Sequence, residues 1–266
     1  MAAVSDLHYG RHDAGTHRDL FRDAVAVADV LVLCGDLTDY GLPEEAELLA
    51  SDLHATGSVP VLAVLGNHDF ESRQQDGVRD VLERAGVMVL DGTCEVVGGV
   101  GFAGVPGFCG GFGRWALSAW GEAPIKDFVQ EAVDEALRLD AALGRLQSEH
   151  RVESLVAVMH YSPIRDTVVG EPEEIFPFMG SSRLEEPLNR YSVAAAIHGH
   201  AHAGAPEGRT ATGRPVYNVA IQVLRRAFPD RPPFRLIEVP RGGGEWTEPV
   251  VAGGAPVAHA ITSNGH

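Results

Sequence analysis

Short, continuous apolar runs recur along the chain, at 30–34, 60–65, 87–90, 100–105, 155–159, 193–197, 216–220 and 234–239. Runs of this length without polar alternation predict strands buried on both faces. Between the early runs the period lengthens. Residues 18–28 and 43–56 predict helices, the second with Pro43 at its start and Gly57 just past its end. The longest helix is predicted over 124–147, where Ile125, Phe128, Val129, Ala132, Val133, Ala136, Leu137, Leu143 and Leu146 fall at helical spacing and the other face is charged. This alternation predicts an α/β fold with layered sheets. No repeat and no Pro/Gly/Ser-rich stretch divides it, so 1–240 reads as one domain. From 241 to 266 the chain turns to Gly, Ala, Pro and Val, with three glycines at 242–244. That stretch reads as a partly disordered tail, with 245–251 a candidate edge strand.

Composition narrows the class. A chain of 266 residues, 45% of them hydrophobic, buries a core without help from disulfides. No apolar run reaches the ~18–20 residues of a membrane-spanning helix. Lys and Arg number 21 against 37 Asp and Glu, a formal charge of −16, which disfavours nucleic acid and anionic membranes as partners. Cys34, Cys94 and Cys109 form neither a disulfide framework nor a zinc knuckle. The first residues lack the basic region and apolar core of a signal peptide, so the expectation is a cytoplasmic, reduced protein. Only five residues precede Asp6. Either the first strand is unusually short or the start is slightly late.

Five polar segments follow apolar runs: Asp6-Leu-His8, Gly35-Asp36-Leu-Thr-Asp39, Gly66-Asn67-His68-Asp69, His160, and Gly199-His200-Ala-His202. Each therefore falls at the C-terminal end of a strand, where open α/β sheets gather ligands. Carboxylate and imidazole without thiolate suit Mn, Fe, Zn, Co or Ni. Asp6, His8, Asp36, Asn67, His160, His200 and His202 are seven candidate ligands, too many for one ion. Two ions about 3.5–4 Å apart and sharing one carboxylate would use all seven. Asp36, at the end of the central strand, is the candidate for sharing.

The order D-x-H, GD-x-x-D, GNHD, lone His, GHxH resembles the calcineurin-like metallophosphoesterases, and the matching segments run from Asp6 to His202. The resemblance implies a four-layer αββα sandwich of two mixed β-sheets flanked by helices, with a dinuclear centre at one edge. By motif position, one metal would be held by Asp6, His8, Asp36 and His202, the other by Asp36, Asn67, His160 and His200. A hydroxide bridging the two divalent or trivalent ions would attack phosphorus. His68 would stand beside the leaving oxygen as proton donor, with Asp39 accepting a bond from its ring to orient it.

Tyr40 stands where many members have Arg, and Asp69 where protein serine/threonine phosphatases have Glu. GNHD is familiar from the bacterial branch that cleaves cyclic nucleotides and other phosphodiesters. The expected activity is therefore hydrolysis of a small phosphodiester. The alternatives are a phosphomonoesterase of a small metabolite, a nuclease of the same fold, and a non-catalytic scaffold. A glycine-rich loop at 107–115 offers Phe112, Arg114 and Trp115 as candidate substrate contacts, with Phe108 beside them; a plain surface turn is the competing reading. His198 is a competing ligand, weakened by Gly199. His12, His17, His54, His150, His259 and His266 read as solvated, although His12 and His17 follow the first motif closely enough to reach substrate.

Overall fold

A computed structural model describes residues 1–149 and 152–239. The expected tail, its candidate strand at 245–251, and His150, His259 and His266 lie outside the described residues. The elements are β1 (Ala2–Val4), α1 (Arg18–Val25), β2 (Leu31–Cys34), α2 (Pro43–Leu53), β3 (Val61–Val64), α3 (Gln75–Arg84), β4 (Val87–Val89), β5 (Thr93–Val97), β6 (Val100–Gly104), α4 (Ala123–Glu149), β7 (Ser154–Val158), α5 (Phe176–Met179), α6 (Glu185–Arg190), β8 (Ala195–His198), β9 (Glu207–Arg209), β10 (Pro215–Asn218), α7 (Ile221–Ala227) and β11 (Arg235–Leu236).

Two mixed sheets result. The first has the order β11-β1-β2-β3-β4, parallel except for β11. The second has the order β5-β6-β7-β8-β10-β9, parallel in its middle and antiparallel at both edges. One apolar cluster joins the sheets face to face, from Leu31, Val32, Leu62 and Val64 to Phe102, Val156, Ile197 and Tyr217. A second cluster packs Leu139, Leu143 and Leu146 of α4 and Leu188 of α6 on the outer side of the second sheet. The α/β sandwich expected from the sequence is the fold observed.

The apolar runs became strands because fully buried parallel strands have no polar face to show. The first strand is three residues long. Its short ladder is extended where Ser5 N–H donates to Val219 O and Ile221 N–H to Ser5 O, tying the ends of β1 and β10 together across the two sheets.

Three departures from the sequence pattern are physical. In α4 the buried stripe is Val129, Ala132, Leu139, Ala142, Leu143 and Leu146, whereas Ile125 and Leu137 are exposed. Leu137 sits about half a turn from Leu139 and cannot share its face. The strand expected over 234–239 is regular only at Arg235–Leu236, although Ile237 still exchanges main-chain bonds with Met1. Edge strand β5 and the largely polar helix α3 carry too little apolar pattern to register as runs. Only Val78, Val81 and Leu82 anchor α3.

Candidate metal centre

The seven candidate ligands meet where β1, β2 and β3 of the first sheet and β7 and β8 of the second end side by side. Asp6 and His8 follow β1, Asp36 follows β2, Asn67 and His68 open a short helical turn after β3, His160 follows β7, and His200 and His202 follow β8.

The backbone is strained to bring them there. Among the described residues, six non-glycine residues have positive φ, and four are candidate ligands: Asp6 (59°), His8 (48°), Asp36 (48°) and His200 (68°). Such conformations cost of order 1–3 kcal/mol each and persist where surrounding structure enforces them. The glycines of the motifs supply room. A Cβ on Gly35, itself at φ +87°, would lie 2.5 Å from the His160 ring, and one on Gly199 would lie 2.4 Å from the Asp6 carboxylate.

Three groups of donor atoms converge: Asp6, His8, Asp36 and His202; Asp36, His160 and His200; and His8, Asp39 and His68, with the atoms of each group within 4.8 Å of one another. Asp36 belongs to the first two groups. Its Oδ2 lies 3.8 Å from His8 Nε2 and its Oδ1 lies 3.3 Å from His160 Nε2. Asn67 joins the second group through its side-chain oxygen, 3.0 Å from His160 Nε2.

Hydrogen bonds select which imidazole nitrogen is left with a lone pair. His160 Nδ1 sits 2.9 Å from Cys34 O, so Nδ1–H donates to that carbonyl and Nε2 points at Asp36 and Asn67. His200 Nε2 sits 3.1 Å from Phe178 O, which commits that nitrogen and leaves Nδ1. Fixing a ligand's tautomer through its other nitrogen is how outer groups tune metal sites. His8 Nε2 is buried and has no hydrogen-bond partner. A buried orphan nitrogen facing a carboxylate, in a donor set of imidazole, carboxylate and amide oxygen, fits a divalent cation.

The charges agree. Burial pushes the Asp6 carboxyl up, but its bond with His202 and the field of His160 outweigh that and hold it below the usual carboxylate range. Burial opposes ionisation of Asp36 too, and His160 overcomes it, so Asp36 stays well below the usual range. Burial drives His200 down to about 4 and lowers His8, so both are neutral, lone-pair-bearing imidazoles at pH 7.

His198 is not among the donors. It is fully buried, with Nδ1 2.8 Å from Gly199 O and Nε2 2.8 Å from Thr167 Oγ1. His17 departs from its expectation as a solvated residue: it is buried, with Tyr9 and Phe21 beside its ring. His12 is exposed. His68 lies edge-on to His8 at 4.6 Å between ring centroids. Its ring does bond Asp39, but through the main-chain carbonyl, 2.8 Å from Nδ1, while the Asp39 carboxylate lies 3.8 Å from His8 Nδ1.

Asp69 has a role the sequence did not reveal. It is fully buried and accepts from Leu37 N–H, Thr38 N–H, Thr38 Oγ–H and Gly66 N–H, bracing the Asp36 and Asn67 loops together. Tyr161 was likewise unmarked, and its ring packs 4.6 Å from that of His200.

The glycine-rich loop is stitched to the segment after His160, with Gly110 N–H donating to Pro177 O and Gly111 N–H to Gly180 O. Phe112 packs against Val168, Phe176 and Ala201. The Arg114 guanidinium lies 4.8 Å over the Trp115 ring, and Trp115 is 79% exposed. None of these three belongs to the donor groups.

Comparison with known proteins agrees with this geometry. Residues 1–204 match the family described as calcineurin-like phosphoesterase. Two solved structures share the fold. One is the phosphopantetheinyl hydrolase PptH of Mycobacterium tuberculosis: 16% identity, 89% of this chain and 94% of that chain covered, TM-score 0.62. The other is the protein TT1561 of Thermus thermophilus: 14% identity, 84% and 89% covered, TM-score 0.54. No curated protein sequence matches the chain significantly. With its matched region spanning more than three quarters of its length, this chain belongs to the calcineurin-like phosphoesterase family.

Proposed function

We propose that the chain hydrolyses a small phosphodiester at a two-metal centre held by Asp6, His8, Asp36, Asn67, His160, His200 and His202. The observation that carries this reading is the Asp36 carboxylate, which belongs to two separate donor groups and faces a partnerless imidazole nitrogen in one of them. Two bound cations supply a nucleophile from water near neutral pH and neutralise phosphoryl charge.

The chain's own residues supply the rest. His160 and His200 are locked by the carbonyls of Cys34 and Phe178, so neither reorganises during turnover. His68 gives Nδ1–H to the Asp39 carbonyl, which leaves Nε2 as the nitrogen that can hold a proton for the departing oxygen. Passing that proton to the departing oxygen yields an alcohol and leaves His68 neutral, a role worth about 10²–10⁴ in rate.

A diester suits the charge around the site. A monoester dianion calls for additional cationic clamps. The guanidinium beside a candidate ligand is engaged elsewhere: Arg226 donates to His202 O and Gly204 O. A charge of −16 argues against a nuclease, which needs a cationic track. No helix among the described residues is long and apolar enough to cross a membrane.

The test compares bis-p-nitrophenyl phosphate with p-nitrophenyl phosphate, with Mn²⁺ present and His68→Ala as control. Faster diester cleavage, lost in the variant, is expected. Faster monoester cleavage would convert the reading to a phosphomonoesterase, and no cleavage of either above a metal-free control would sink it.

A further inference from the structure

Four fully buried polar side chains stand outside the donor groups: Ser162 and Thr167 from the loop after β7, His198 at the end of β8, and Asn218 at the end of β10. Water does not reach them, so each takes its partners from the protein. Those partners surround His200.

The bonds run in one direction. His198 Nδ1 lies 2.8 Å from Gly199 O, and a carbonyl only accepts, so Nδ1–H donates. Burial keeps the ring neutral, which leaves Nε2 as an acceptor. Thr167 Oγ–H, with its oxygen 2.8 Å away, donates to it, and Ser162 Oγ lies 2.8 Å behind Thr167 Oγ1. Asn218 Nδ2–H donates to Ala201 O at 2.8 Å. Gly199 and Ala201 flank His200, so the carbonyls on both sides of this candidate ligand are held by buried side chains.

His200 needs such support. Its φ of 68° is a conformation that persists only where the surroundings enforce it. Its ring is fixed separately, through Nε2 and Phe178 O. The same polar group places that carbonyl, because Ser162 N–H donates to Met179 O and Ser181 N–H to Ser162 O. His202 is held by other means: its Nε2 lies 2.9 Å from Asp6 Oδ1, and Arg226 donates to its carbonyl. The sealed network therefore bears on His200 rather than His202, and through it on the donor group that contains Asp36 and His160.

We propose that Thr167 and His198 are positioning residues: by anchoring the Gly199 carbonyl they aim the His200 imidazole at the metal position it shares with Asp36, Asn67 and His160, and so set the affinity of that position alone. The inference rests on the two-metal reading, but its test measures metal binding and stands apart from turnover.

Mn²⁺ binding to the full chain is measured by calorimetry for the wild type, Thr167→Val, Thr167→Ser, His200→Ala and the double variant Thr167→Val with His200→Ala. Circular dichroism checks that each folds, and the smaller Thr167→Ala replaces Thr167→Val if valine prevents folding. Valine keeps the shape of threonine but sets a methyl against His198 Nε2, leaving a buried acceptor unpaired. One of the two ions is expected to bind about tenfold more weakly, the scale of losing a group behind a ligating imidazole, while the other is unchanged. Thr167→Ser should restore the lost affinity. In the His200→Ala background Thr167→Val should weaken the remaining ion no further, since the residue it acts through is gone. Unchanged affinities in Thr167→Val, equal weakening of both ions, or a further loss in the His200→Ala background would overturn the proposal. Two ions bound with no effect of Thr167→Val sinks the positioning role alone. One ion weakened as expected, with no phosphoester cleaved, sinks the functional reading and leaves the positioning role. A wild type that binds fewer than two ions sinks both.

Discussion

The His68 ring is held by the main chain of Asp39: Nδ1 lies 2.8 Å from the Asp39 carbonyl oxygen, whereas the Asp39 carboxylate turns to His8, 3.8 Å from its Nδ1. One residue thus serves two histidines with different atoms. Changing its side chain should disturb only one of them.

Asp39→Asn is therefore expected to leave His68 in place and to weaken metal binding by about tenfold, the usual scale for losing a partner behind a ligating imidazole. Saturating Mn²⁺ should restore kcat. His68→Ala should do the reverse, keeping metal and losing about 10²–10⁴ in kcat. Metal titrations followed by activity separate the two. A kcat in Asp39→Asn as low as that of His68→Ala at saturating metal would refute this division.

Asp36→Ala should empty both metal positions, because its carboxylate is the group common to the two donor sets. Metal content measured by elemental analysis should fall from two per chain towards zero. Retention of both ions would show that the sets do not share it.

Gly35→Ala combines a left-handed backbone with a collision. The added methyl would lie 2.5 Å from His160 Nδ1, breaking the bond from that nitrogen to Cys34 O. Backbone strain alone costs about 1–3 kcal/mol. The expected outcome is a lower Tm together with loss of bound metal. An unchanged Tm would mean the loop relaxes more freely than its packing implies.

Asp91 links the two halves of the sandwich away from the site. It pairs with Arg79 of α3 and Arg138 of α4, and Arg138 also pairs with Glu135, whose other oxygen accepts Gly107 N–H. Partial burial pushes the Asp91 carboxyl up, but the two guanidiniums outweigh it and hold it below its ordinary value. A lowered native pKa stabilises above the unfolded value of about 3.9, and the gain is lost as pH falls through the native value. Asp91→Asn should lower Tm at pH 7 by roughly 2–4 °C, the shift that accompanies about 1 kcal/mol in a chain of this size. The gap should persist to about pH 4 and close on further acidification. Thermal melts across that range check it, and a gap that widens with acid would contradict the sign.

What the sequence determined by itself is local. Buried strands need unbroken apolar runs, so most sheet strands were legible. Ligands at strand ends need Asp, His and Asn directly after those runs, so all seven candidates were legible, and they converge. The family pattern was legible for the same reason, since its segments are short and contiguous. Other features depended on residues far apart in the chain. Nothing near position 39 says whether its carbonyl or its carboxylate meets His68, because that depends on how the loops after β2 and β3 cross. Asp69 reads only as the last residue of the GNHD segment until Leu37, Thr38 and Gly66 close round it and make it a brace. His198 and His200 differ by two positions, yet one is sealed against Thr167 and the other joins the donors, because the left-handed backbone at His200 turns the chain between them. Strand runs and ligand types follow from each residue's own chemistry, whereas which atom faces which follows from contacts that only the folded chain makes.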